Sequence, residues 1–109
     1  MSSENFIAYF GLRFEVASEE IESLELRSDN RVVAARKNGL KYYWGNFGEQ
    51  EKCLLFVGYQ IGIFGAENSS ELSVALSDAQ DSFEITARKL LDAGFSESPK
   101  MHFAWQPDI

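Results

Sequence analysis

Between Phe6 and Val16 the chain alternates with a period of two: Phe6, Ala8, Phe10, Leu12, Phe14 and Val16 fall on one side, and Ile7, Tyr9, Gly11, Arg13 and Glu15 on the other. Successive strand side chains point to opposite faces, so this predicts a strand over 6–16 with its wholly apolar even-numbered side in the core. The alternation returns at 101–106, predicting a last strand with Met101, Phe103 and Trp105 inward and His102, Ala104 and Gln106 outward. Between them the period becomes helical. Ala79, Phe83, Thr86, Ala87, Leu90 and Leu91 form one stripe along 79–93, opened by a Ser77/Gln80 capping box and stopped by Gly94. Two shorter helices are predicted. One runs from about Glu19 to Leu26 behind an Ser18 N-cap, with Glu19 and Glu20 at its positive end; the other runs from Asn30 to Asn38, capped by Asp29 and closed by Gly39.

The segment KYYWGNFG, Lys41 to Gly48, has no two-residue rhythm and places rings on both sides of a strand. The polar GEQEK after Phe47 reads as a hairpin connection, and CLLFVG, Cys53 to Gly58, as a strand covered on both faces. Tyr59–Gln60, set between Gly58 and the run IGIFG, predicts a tight turn in preference to a strand running on to Phe64; AENSS reads as a loop and ELSVAL as a short strand. The order predicts an α+β fold: a mostly antiparallel sheet of four to six strands with two short helices and one long helix packed on one face. There is no internal repeat, low-complexity tract or linker, so residues 1–109 read as a single domain.

If helices cover one face, the opposite face receives Ile7, Tyr9, Gly11, Arg13 and Glu15 together with His102, Ala104 and Gln106. It also receives either Tyr42, Trp44 and Asn46 or Tyr43, Gly45 and Phe47, and rings land there in both registers. Aromatic cross-strand pairs stabilise a sheet by up to about 1 kcal/mol each, which accounts for such rings without any function. The alternative is a contact surface, because Tyr and Trp are enriched where partners bind most tightly. On that reading the binding residues are Tyr9, Arg13, Tyr42, Tyr43, Trp44 and His102.

Charge narrows the classes. Ten Lys and Arg against 17 Asp and Glu give −7, a field that repels phosphate backbones and anionic lipid heads and so argues against nucleic-acid and membrane partners. The one basic cluster, Arg31, Arg36 and Lys37 with Lys41 nearby, is accounted for by a helix C-terminus, which favours cations. Cys53 is the sole cysteine, which rules out an intramolecular disulfide and the Cys-pair zinc motifs. MSSENFIAYFGL lacks the basic flank of a secretion signal, so a soluble cytoplasmic location is expected and the sequon at Asn68–Ser70 reads as a turn.

Chemistry finds little footing. His102 is the only histidine, Cys53 opens a core-like run, and Gly58, Gly62 and Gly65 do not feed a helix as a phosphate-binding loop requires. Glu49, Glu51, Glu67 and Asp108 read as a solvated rim. No cofactor or metal is called for, and the catalytic set is empty. What remains is a small acidic binding protein acting through an aromatic sheet face on a protein partner of basic character. Bacterial immunity proteins and other inhibitors of basic toxins resemble it in composition alone. Two alternatives stand beside this: a small-molecule binding domain or weak enzyme with a pocket between sheet and helices near Tyr9, Arg13 and His102, and a homo-oligomer that self-associates through the sheet.

Overall fold

The computed structural model describes residues 4–65 and 68–107. Its element order is that of an α+β fold with an antiparallel sheet. β1 (Asn5–Glu15) pairs on one side with β3 (Lys52–Gly65) and on the other with β4 (Lys100–Gln106), while β2 (Lys41–Phe47) pairs with β3, giving the order β2-β3-β1-β4.

β3 corrects the expected turn at Tyr59–Gln60. It runs unbroken to Gly65, absorbing one extra residue as a bulge where the partners of Ala8 and Tyr9 jump from Gly62 to Gln60. Two residues before the bulge, Gly58 marks a close approach of β3 to β1. It lies opposite Gly11, both take a positive φ (149° and 153°), and a Cβ on either would strike the backbone of the facing strand.

A 3-10 turn, Ser18–Glu20, leads into the one-turn α1 (Ile21–Glu25). The cap sits one residue earlier than expected: Ala17 donates its N–H to the Glu20 carboxylate at 2.9 Å, and Ser18 is already inside the turn. α2 (Asn30–Lys37) starts as expected, with Asp29 accepting from the Arg31 N–H at 2.8 Å, and Gly39 follows in the left-handed conformation. α3 (Leu76–Asp92) begins before Ser77, behind Ala75 and without a side-chain cap, so Ser77 is a helical residue. Residues 71–75 form no strand and are exposed. The expected loop residue Glu67 and the rim residue Asp108 lie outside the described residues.

Both faces of the sheet carry a core. On the helix side Leu24, Val32, Ala35, Leu40 and Leu90 pack on Leu12, Leu55 and Val57, with Phe14, Tyr42 and Trp44 at the margin. On the other side Ile7, Tyr9, Phe47, Leu54 and Phe56 form a second core to which, among the described residues, no helix contributes. The sheet roofs that core itself, because its two outer strands curl towards each other: Gly48 N–H donates to the Trp105 carbonyl at 2.9 Å and Tyr43 Oη to Gln106 Oε1 at 2.7 Å.

The even-numbered side of β1 enters the helix-side core through Leu12 as expected, but the odd-numbered side is buried too, and the sidedness of β4 is reversed. On the odd-numbered side of β1 Ile7 and Tyr9 are almost wholly buried, while Arg13 and Glu15 are exposed; on the even side Phe6 is half exposed. In β4, His102, Ala104 and Gln106 face the second core, and Met101 and Phe103 face outward.

Candidate interaction surface

Five of the six residues singled out from the sequence are divided between the two sides of the sheet. Tyr9 is wholly buried, stacked on Phe56 with its hydroxyl donating to Gln60 Oε1 at 3.0 Å; burial, and then Tyr43, push its phenol pKa above the usual range. Tyr43 is half-buried on the same inner face, and its hydroxyl is taken by Gln106. His102 joins them, half-buried, with Nε2 3.1 Å from the Gly11 carbonyl and its ring beside Phe56. Burial first, and then the charges of Arg13 and Lys100, hold its pKa below the ordinary imidazole value, against the opposing bond to Gly11. Tyr42 and Trp44 pack half-buried on the helix side. Arg13 alone is open to solvent, 3.7 Å from Glu15.

The hollows follow a different map from the expected pocket. The hollow between helix and sheet, about 250 Å³, runs from Gly39 to Lys89 past Tyr59 and Thr86 and includes none of Tyr9, Arg13 and His102. Arg13 instead borders two hollows on the other side. One, of about 500 Å³, is shared with Phe47, Lys52, Leu54 and Ala104; a smaller one, of about 200 Å³, is shared with His102, Lys100 and Glu97. Cys53 is half-buried, and burial pushes its thiol pKa up, which disfavours the thiolate a nucleophile needs.

The exposed apolar surface lies elsewhere. Phe6, Met101 and Phe103 are 52%, 50% and 64% exposed. They share the helix-side face, since Phe6, Ala8 and Phe10 pair with Trp105, Phe103 and Met101. Gly62 lies across Ala8 from Phe103, and Leu72, also about half exposed, sits directly over it. Val74 and Leu76 continue the exposed apolar run along the chain. At 150–250 Å² per aromatic ring, half exposure of the sheet residues and Leu72 leaves roughly 300–500 Å² of apolar surface, a size that ordinarily marks a contact site.

The helices do not reach this end of the sheet. The 11 residues of β1 span about 36 Å at roughly 3.3 Å each, whereas the five and eight residues of α1 and α2 reach only about 7 and 12 Å. α3 adds Phe83, stacked on Phe10 at 4.2 Å, and Leu90, leaving the Phe6 end uncovered.

No protein-family model, curated protein or solved structure matches this chain.

Proposed function

We propose that the protein is a binding module that docks a basic protein on the uncovered end of its helix-side sheet face, around Phe6, Met101 and Phe103. The observation that carries this is the clustering of those half-exposed side chains with Leu72 on one face. The charge of −7 selects the partner's sign, and the exposed carboxylates Glu4, Glu71 and Asp78 adjoin the patch residues along the chain. Opposite charge accelerates encounter and rejects acidic competitors, while buried rings supply the affinity.

The test is capture from host extract at low salt with wild-type protein and a Phe6→Ser/Phe103→Ser variant. The wild type is expected to retain a basic protein that the variant loses while its far-ultraviolet dichroism stays native. Equal capture by both would remove the patch from the proposal.

A second reading has its own observation. In the 500 Å³ hollow Arg13 and Lys52 share a single carboxylate, Glu15, at 3.7 and 3.8 Å, above the apolar side chains of Phe47 and Leu54. Such a hollow suits a small carboxylate with an apolar body. A thermal-shift screen of metabolites separates the two readings, since a ligand of the native state raises the melting point.

A further inference from the structure

We propose that the outer edge of β4 pairs with the same edge of a second copy, antiparallel about a two-fold axis at His102. The inference deepens the partner-binding reading. Edge pairing leaves the sheet faces open, so it sets the apolar ends of two copies side by side.

The direction of the β4 main chain can be deduced. Val16 N–H donates to the Cys53 carbonyl at 3.0 Å, continuing the β1–β3 ladder, so the even-numbered residues of β1 bond to β3. In an antiparallel sheet a residue's N–H and C=O point to the same side, and neighbours alternate. The odd residues Ile7, Tyr9 and Gly11 therefore bond to Ala104, His102 and Lys100, and the main chain of Met101, Phe103 and Trp105 points away from the sheet. The bond from Gly48 N–H to the Trp105 carbonyl agrees with this. At Met101 and Phe103 the outward main chain and the exposed apolar side chain belong to the same residues.

Natural edge strands block such pairing with charges, prolines or covering segments. The overhanging end of β3 is covered in this way, with Phe64 bridged to Ser69 and Gly65 N–H bonded to the Ser69 carbonyl. In β4 the bonds to Gly48 and Tyr43 tie down Trp105 and Gln106, and among the described residues no backbone bond covers the outer side of Met101 and Phe103. Its seven residues, Lys100 to Gln106, include no carboxylate in a chain with 17. Two acidic molecules can therefore meet along this strand without placing like charges opposite each other. The other edge, β2, offers less, since Tyr42 and Trp44 are half-buried against the helix-side core.

The register follows from the donors present. With His102 facing His102 of the second copy, Met101 faces Phe103, and each such pair exchanges N–H and C=O bonds in both directions. Gly48 fills the place outside Trp105, so the pairing ends at Lys100 facing Ala104, and Pro99, which has no N–H to satisfy, turns away beyond it. A centre on Met101 would set Pro99 against Phe103 and leave a Phe103 carbonyl without a donor. A centre on Phe103 would drive Met101 against the occupied Trp105 carbonyl. Five residues and two side chains bury less than the ~800 Å² per partner of a standard interface, so the dimer is expected to dissociate on dilution.

Sedimentation equilibrium of the full chain across the micromolar range should show a reversible monomer–dimer equilibrium. Met101→Pro, near the strand start where proline is tolerated, removes one outward donor per copy and should weaken the dimer roughly tenfold or more; Met101→Ala, which keeps the donor, should weaken it less. Directly opposed, non-hydrogen-bonded residues lie about 4.5 Å apart, within disulfide reach. In a Cys53→Ala background, His102→Cys should therefore oxidise to a covalent dimer and Lys100→Cys should not. A monomer at every concentration, a dimer indifferent to Met101→Pro, or equal cross-linking at 100 and 102 would overturn the pairing. The two readings fail separately: a monomer that still captures its partner sinks only the pairing, and a dimer that captures nothing sinks only the partner.

Discussion

Arg31 ties three segments together. Its guanidinium grips both oxygens of Asp29 at 3.0 and 2.9 Å, reaches Glu20 Oε2 at 3.1 Å, and lies 5.2 Å from the Phe14 ring centroid. Asp29 is buried and also caps α2, so removing its partner strands a carboxylate. Arg31→Met is expected to cost about 2 kcal/mol in urea unfolding. The hydrogen bond from Arg31 holds the Asp29 carboxyl below its usual range. Its contribution is thus complete above the unfolded value near 4 and is lost as pH falls through the lower folded one. His102 acts in a higher window. With its folded pKa depressed, the unfolded chain binds the proton first, so stability falls as pH drops below about 6.5. The urea midpoint should be lower at about pH 5.5 than at 7.5, and the difference should shrink in His102→Gln. Backbone geometry sets a third residue-level expectation: Gly58→Ala adds a Cβ where φ is 149° and the facing strand's backbone is already in the way, and should lose more than about 2 kcal/mol.

Within the elements, α3 gives the sharpest contrast. The helical stripe read from the sequence includes Leu90 and Leu91 alike, yet Leu90 is 1% exposed and Leu91 69%. Leu90→Ala should cost about 2–5 kcal/mol and Leu91→Ala only a few tenths, measured as midpoint shifts in denaturant. Periodicity locates an element and its broad stripe, but the width of the stripe that is covered depends on the neighbour, which is remote in sequence. The same limit explains the strands. The alternation in β1 and β4 was legible, as were the Asp29 cap and the stops at Gly39 and Gly94, because each rests on local chemistry. Which side of β4 faces inward was not, since that depends on β2 curling over to meet it through Gly48 and Tyr43. Tyr9 and Tyr43 were singled out as rings on a bare face; curling places them inside, and the bare rings are Phe6 and Phe103.

At the scale of the whole molecule, the two cores are built from alternate residues of the same strands. Leu55 and Val57 point into the helix-side core while Leu54 and Phe56 point into the other; along β1, Leu12 belongs to the first and Ile7 and Tyr9 to the second. Neither core can open without deforming a strand whose opposite face holds the other, so the two should unfold as one unit. Trp44 lies at the margin of the helix-side core, and Trp105 sits where β4 meets the β2–β3 turn, so tryptophan fluorescence samples both regions. Fluorescence and far-ultraviolet dichroism should give one urea midpoint. Leu55→Ala in the first core and Phe47→Ala in the second should each lower that common midpoint by about 2–5 kcal/mol in equivalent stability, without splitting it. Phe47→Ala deletes a ring that packs edge-on against both Phe56 and Tyr43, and Tyr43 carries the bond to Gln106 that helps hold the curl. An intermediate with β4 released and the helix-side core intact would mean that the curl is a separate cooperative unit. The β4 edge would then be presented to a second copy only in the closed form, and dimerisation would raise the midpoint of the β4 transition alone.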